Sequence, residues 1–161
     1  MTNEAGEYLT FLMAGEEFGV DILRVQEIMG WAPVTEIPGT PEYLKGVINL
    51  RGIIVPIIDM RERFGLDVME YNETTVVIVL KAGAMEDAMV VGLVVDAVSE
   101  VYKVDEKDIK PAPNFGSVID NRFIENMATV DEKLIILLNA HRLLNVEDLY
   151  SVVARAKPVS A

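Results

Sequence analysis

The chain has no cysteine among its 161 residues and a single histidine, His141. No disulfide framework, thiol nucleophile or thiolate metal site is therefore available, and one histidine cannot make a paired-histidine zinc motif. A nucleophile elbow, a P-loop and a dinucleotide fingerprint are equally missing. Cations are scarce: 14 Lys and Arg stand against 26 Asp and Glu, a net charge of −12. That balance argues against general nucleic-acid binding, which needs clustered cations to neutralise phosphates. The longest apolar run, about Ala88 to Val95, falls far short of the roughly 20 residues that cross a bilayer as a helix. The N-terminus MTNEAGEY is acidic and lacks the basic and apolar regions of a secretory signal. A cytoplasmic protein without membrane insertion is expected. A hydrophobic fraction of 51% in a chain of this length supplies the core of one domain, or of two small, intimately packed ones.

The densest information lies in Gly46 to Gly65, GVINLRGIIVPIIDMRERFG. A short apolar run, Val47 to Leu50, is interrupted by Arg51 and Gly52, a turn-like dipeptide in which glycine takes positive φ without a Cβ clash. Ile53 to Ile58 is apolar on both faces and rich in β-branched residues, which predicts a buried strand. Pro56 inside it has no ladder N–H, so the strand should be an edge or carry a bulge there. Asp59 is placed to cap a short helix, Met60 to Phe64, that Gly65 ends. Four cations (Lys45, Arg51, Arg61, Arg63) face three anions (Glu42, Asp59, Glu62) between Glu42 and Gly65, so this segment escapes the general acidity. Arg61 and Arg63, on the helix, read as solvated surface. Arg51, at a turn between apolar strands, is where a side chain is presented to something else.

A faint copy lies 80 residues downstream. The shift lays Tyr43 on Phe123 and Val55–Ile58 on Ile135–Leu138, and it carries the caps Asp59 and Gly65 onto Asn139 and Asn145. VDILRVQEI (Val20 to Ile28) is echoed by VDAVSEV (Val95 to Val101). The expected organisation is one domain over 1–161 built of two pseudo-repeated halves, with motif blocks at 43–65 and 123–145. Asn49-Leu50-Arg51-Gly52 becomes Thr129-Val130-Asp131-Glu132, so the echo is expected to keep the packing and lose the turn. Specialised chemistry then belongs to the first half.

Elsewhere, Glu7 to Ala14 and Phe18 to Ile22 read as a hairpin around Gly15-Glu16-Glu17. Val20 to Ile28 is ambiguous between strand and short helix, with Asp21 a candidate cap. Thr74 to Leu80 reads as a buried strand, and Met89 to Val104 as a long strand region bent at Gly92. Lys81 to Ala88 and Pro111 to Asn121 read as loops, and Val146 to Lys157 as a helix whose Leu149, Val152, Val153 and Ala156 form one apolar stripe. Carboxylates are plentiful, but Asp21, Asp59 and Asp96 read as caps or turn formers rather than an acid/base couple. Elimination leaves a binding protein, with a carboxylate-dependent hydrolase as the alternative from another class. Neither reading calls for a cofactor or a metal.

GVINLRGIIVPIIDMRERFG resembles the signature of the CheW family of chemotaxis coupling proteins. YLTFLMAGEEFGVDILRVQEI, TVVIVL, VGLVVDAVSEV, IKPAP and LIILLNAHRLL look like that family's successive blocks, in order. The resemblance implies a mostly β fold of two intertwined five-stranded SH3-like barrels with short helices and a C-terminal helix. It implies no catalysis. It implies two protein partners, the cytoplasmic tips of methyl-accepting chemoreceptors and the regulatory domain of the histidine kinase CheA, in membrane-associated arrays. Receptor contact would fall on Arg51, Glu27, Val25 and Gly46, and kinase contact on Val34, Ile37 and Pro38. A coupling protein of a related pathway, such as pilus motility, shares these features.

Overall fold

The computed structural model describes residues 6–82, 89–111 and 124–139. Within them lie eleven strands: β1 (Gly6–Met13), β2 (Glu16–Asp21), β3 (Val25–Gly30), β4 (Leu44–Leu50), β5 (Ile53–Asp59), β6 (Val76–Ala82), β7 (Met89–Val95), β8 (Ala97–Val104), β9 (Ile109–Lys110), β10 (Ile124–Val130) and β11 (Lys133–Leu138). One short helix, α1 (Met60–Arg63), follows β5. The strands make two sheets, ordered β3-β6-β7-β5-β4 and β8-β1-β2-β11-β10-β9. The expected Val146 to Lys157 helix, His141, the Pro111 to Asn121 loop beyond its first residue, and most of the Lys81 to Ala88 loop lie outside the described residues.

Each sheet curls into a barrel because the chain leaving one edge strand returns to the other edge. After β3, Thr35 exchanges two backbone hydrogen bonds of 2.9 Å with Val47 on β4. After β8, β9 pairs with β10. The barrels are intertwined: β3 follows β2 in the chain but pairs with β6, and β8 follows β7 but pairs with β1. Three apolar clusters result. Val55, Ile57, Val77, Val79 and Val94 fill the first barrel. Ile135, Leu137, Ala128, Tyr102 and Val104 fill the second. The largest cluster, with Phe11, Phe18, Ile58, Ile78, Leu80, Leu93 and Leu138, lies between them. Alternation along β5 and β6 explains the partition, since successive side chains of a strand face opposite sides of the sheet.

Most local expectations hold, with informative exceptions. The first hairpin turns at Ala14 and Gly15, both at positive φ, rather than at Gly15-Glu16-Glu17. Asp21 accepts the Leu23 N–H at 2.9 Å and caps a single 3-10 turn, Ile22–Arg24, so the ambiguous Val20 to Ile28 stretch is strand, turn and strand. Val47 faces Thr35, so its partner Pro56 turns its nitrogen away from β4. On that far side β5 first meets β7 at Ile57. Pro56 therefore closes the free-edge stretch of β5, and the bulge lies in the partner strand β4, at Lys45, opposite Ile57 and Ile58 rather than Pro56. The Met89 to Val104 region breaks at Asp96, where the chain changes barrels. Gly92 is no bend: a Cβ there would meet Ile57 and Val77 side chains at 2.7 and 2.8 Å, so glycine lets β5 pack against β7.

Arg61 and Arg63 are not solvated surface. Arg63 lies over the Tyr43 ring, 4.8 Å from its centroid. Arg61 makes a bidentate pair with Asp96 at 2.9 and 2.7 Å and donates to the Asp67 carbonyl. The same Asp96 carboxylate accepts the Ala14 N–H at 2.9 Å. One ion pair thus joins α1, the crossover and the tip of the β1–β2 hairpin. Burial pushes the Asp96 carboxyl up, but the Arg61 guanidinium and the Ala14 N–H outweigh it and hold the group below the usual carboxylate range. A depressed carboxyl contributes stability above its unfolded-state value and loses it as pH falls through the folded value. Asp96→Asn should therefore lower stability at neutral pH by roughly 1–3 kcal/mol, a Tm loss of several degrees. In thermal melts across pH, the gap to the parent should narrow below about pH 4.

Candidate functional site

The β4–β5 hairpin turns on Arg51 (φ 51°) and Gly52 (φ 88°). Positive φ at both central positions marks the primed turns, whose twist matches that of the flanking strands. Asn49 Oδ1 accepts the Gly52 N–H at 2.8 Å and ties the turn shut. Arg51 is thereby projected from the end of the first barrel, its side chain 71% exposed. It reaches across the barrel's seam, from one edge strand to the other, and its Nη2 donates to Glu27 Oε1 on β3. Glu27 pairs with Val79 and shares the inward face of Met29, which packs on the first barrel's core. The carboxylate therefore stands at the rim of that barrel. Its hydrogen bond, then its charge, hold the Arg51 guanidinium all the more firmly protonated.

The other expected contact residues are placed differently. Val25 precedes a register shift in β3 and is half-buried against the inter-barrel core. Gly46 is buried in the β4 bulge at φ 149°, where a Cβ would sit 2.4 Å from the Thr35 carbonyl oxygen. The structure brings Arg51 and Glu27 together and does not bring Gly46 to their surface. Two neighbours were not expected. Ile53, assigned to a buried run, is 54% exposed just after the turn, and Ile28, beside Glu27, is 44% exposed. The outward phase of Ile28 in the pattern Val25-Gln26-Glu27-Ile28 was the available signal.

Val34, Ile37 and Pro38 lie on the strap that runs from β3 over to β4. Val34 packs on the first barrel's core and Ile37 on the inter-barrel cluster, while Pro38 is exposed. Thr40 Oγ1 donates to the Ile37 carbonyl at 2.9 Å, and the Leu44 N–H donates to the Pro41 carbonyl at 3.0 Å. The strap borders a cleft of about 320 Å³ whose far wall is the Lys45–Glu62 ion pair, 2.6 Å long. Asp59, a carboxylate that a hydrolase would need, instead caps α1 through the Glu62 N–H at 3.2 Å and accepts the Tyr71 hydroxyl at 2.6 Å. Burial and that hydrogen bond keep the Tyr71 phenol protonated. Among the described residues, no group of three or more His, Asp or Glu is arranged to hold a metal ion.

The second barrel supplies an internal control. β10 and β11 repeat β4 and β5 at a distance of 80 residues, down to the bulge between Ile124 and Asn126. Gly19 faces Leu137 where Gly92 faces Ile57, and counting outward along the ladders sets Glu100 where Glu27 stands. The turn is not lost in the echo, as its sequence had suggested. Asp131 and Glu132 adopt φ of 51° and 65° without any glycine. What changes is the chemistry: the positions of Arg51 and Glu27 are held by two acids, Asp131 and Glu100. That seam is spanned instead by Lys133 Nζ and the Tyr102 hydroxyl, 3.2 Å apart. Barrel closure does not require the Arg51–Glu27 pair.

Residues 7–148 match the family model of the CheW-like domain. The chain belongs to the CheW family. It is 44% identical over 143 residues to the chemotaxis protein CheW of Klebsiella aerogenes, covering 89% of this chain and 84% of the relative. It is 36% identical to CheW of Rhizobium meliloti, with 92% and 93% covered. Among solved structures, it superposes on the scaffolding protein TtCheW of Thermoanaerobacter tengcongensis with a TM-score of 0.79 at 37% identity, covering 86% of this chain and 92% of that one. The CheW-like match spans both barrels, so the one-sided ion pair is a feature set within a whole family domain.

The positive φ of Glu132 is an unfavourable conformation for an L side chain, by about 1 kcal/mol. Glu132→Gly should raise Tm by a few degrees. The reciprocal change in the first barrel, Gly52→Glu, should lower it, and differential scanning calorimetry of the two variants measures both.

Proposed function

We propose that this chain is a single, non-catalytic adaptor domain of two pseudo-repeated barrels that joins the cytoplasmic tips of chemoreceptors to the regulatory domain of the histidine kinase CheA. The observation that carries the reading is the Arg51–Glu27 pair, built across the first seam and replaced by two acids in the second. The pair is too exposed to contribute much to folding, since surface ion pairs exchange Coulomb attraction for side-chain entropy and are screened by salt. It is well made for recognition. A guanidinium fork carries five N–H donors, and Glu27 orients it without enclosing it. Exposed Ile28 and Ile53 supply apolar contact beside the charge, a combination that suits the packed helices of a receptor tip and sets their orientation. Val25 supports β3 from the inter-barrel core.

The kinase regulatory domain is assigned to the strap, with Pro38 at the surface and Val34 and Ile37 anchoring it. The two partners then dock at separate places on one rigid barrel, which is what a coupling protein requires. The chain works in the cytoplasm and is held at receptor arrays by its partners, not by membrane insertion.

Arg51→Ala should strongly reduce capture of a receptor-tip fragment in a pull-down while leaving Tm within about two degrees of the parent. A shift of several degrees would make Arg51 structural and remove the assignment. Calorimetric titration of the parent protein with the isolated CheA regulatory domain should saturate, and absence of saturable binding would overturn the coupling function.

A further inference from the structure

Leu50 and Ile53 are the last ladder pair of the β4–β5 hairpin, so the Gly52 N–H lies in the turn, beyond the ladder. Asn49 Oδ1 accepts it at 2.8 Å. That N–H belongs to the peptide plane joining Arg51 to Gly52, and glycine on one side of the plane restrains it little. Holding the plane therefore steadies the backbone on which the Arg51 side chain stands, while Glu27 holds the guanidinium at the other end.

Folding does not call for this clasp. Eighty residues on, Thr129 stands where Asn49 does and offers no amide oxygen, yet Asp131 and Glu132 take positive φ as Arg51 and Gly52 do. The twist of the flanking strands thus makes the turn by itself. Nor does packing demand glycine in the first turn, since among the described residues nothing lies within 4 Å of where a Gly52 Cβ would be. Two L residues are confined by their own Cβ atoms, and Gly52 is not. The first barrel keeps a bare position beside Arg51, which leaves the approach to the guanidinium clear, and it recovers the lost order through an exposed asparagine. A group ordered before its partner arrives costs less to immobilise in the complex.

We propose that Asn49 is a positioning residue for receptor recognition: its clasp on the Gly52 N–H pre-organises Arg51, and Asn49 itself does not touch the receptor tip. The inference rests on the reading that Arg51 engages that tip.

An NMR titration of the labelled protein with a receptor-tip fragment reaches weak affinities and compares the parent, Asn49→Ala, Arg51→Ala and the double variant. Asn49→Ala should weaken binding about three- to tenfold. In the Arg51→Ala background the same change should cost less than about twofold, because the residue through which it acts is gone. Hydrogen exchange should speed up at the Gly52 N–H and stay unchanged at the Val47 N–H, which bonds to Thr35. Tm should fall by no more than about four degrees. Unchanged affinity in Asn49→Ala would overturn the proposal, as would an equal loss in both backgrounds, which would make Asn49 a contact residue. A Tm loss of about ten degrees or more would overturn it too, by making the clasp part of the fold. A parent that does not bind the tip, or an Arg51→Ala variant that binds as tightly as the parent, would defeat the functional reading and the inference with it.

Discussion

The structure depends on the apolar cluster shared between the barrels. Phe11, Phe18, Ile58, Ile78, Leu80 and Leu93 are each at most 1% exposed, and they come from both sheets. Neither sheet could bury these faces alone, because strands alternate and a closed barrel hides only its inward set. Exchange of β3 and β8 makes the arrangement obligatory: each barrel is incomplete without a strand that the chain delivers from the other. At roughly 25 cal/mol per Å² of apolar surface removed from water, burial in this shared core does most to hold the halves in fixed relation. The Arg61–Asp96 pair adds direction at the crossover rather than bulk stability.

The functional geometry follows from that exchange. Glu27 reaches Arg51 only because β3 crosses to the first barrel and becomes the edge opposite β4. The primed turn then holds the guanidinium at the barrel's end, with Asn49 closing the loop beneath it. In the second barrel the same backbone path, bulge and turn recur with acids at the corresponding positions. The fold is thus satisfied twice, and the ion pair is made once. A constraint needed for folding would be expected at both seams, whereas a recognition element is needed only where the partner docks.

Much of this was legible in the residues where the governing chemistry is local. The β4–turn–β5–cap–helix unit followed from Arg51-Gly52, the β-branched run, Asp59 and Gly65, each acting within a few positions of itself. The echo at 80 residues located β10 and β11 because apolar phase survives when identities do not. The primed turn at Asp131-Glu132 was hidden because the twist of its flanking strands imposes positive φ without the glycine that would have announced it. Long-range facts were not legible at all. Nothing near Gly92 signals the Ile57 side chain, nothing near Arg61 signals Asp96, and nothing near Gly46 signals the Thr35 carbonyl, since those neighbours are set by pairings between segments distant in sequence. The resemblance of the sequence blocks gave the family, but the burial of Gly46 against the Thr35 carbonyl was not legible in it.

We assign the Arg51–Glu27 pair to recognition rather than to folding, and a charge-swap cycle separates the two roles. Arg51→Glu, Glu27→Arg and the double exchange are each measured for receptor-tip affinity and for unfolding by denaturant. Strong coupling between the two positions is expected in binding, with near-additive, small effects on unfolding. Coupling confined to unfolding, with receptor-tip affinity indifferent to all three variants, would make the pair a folding element and overturn its role in recognition.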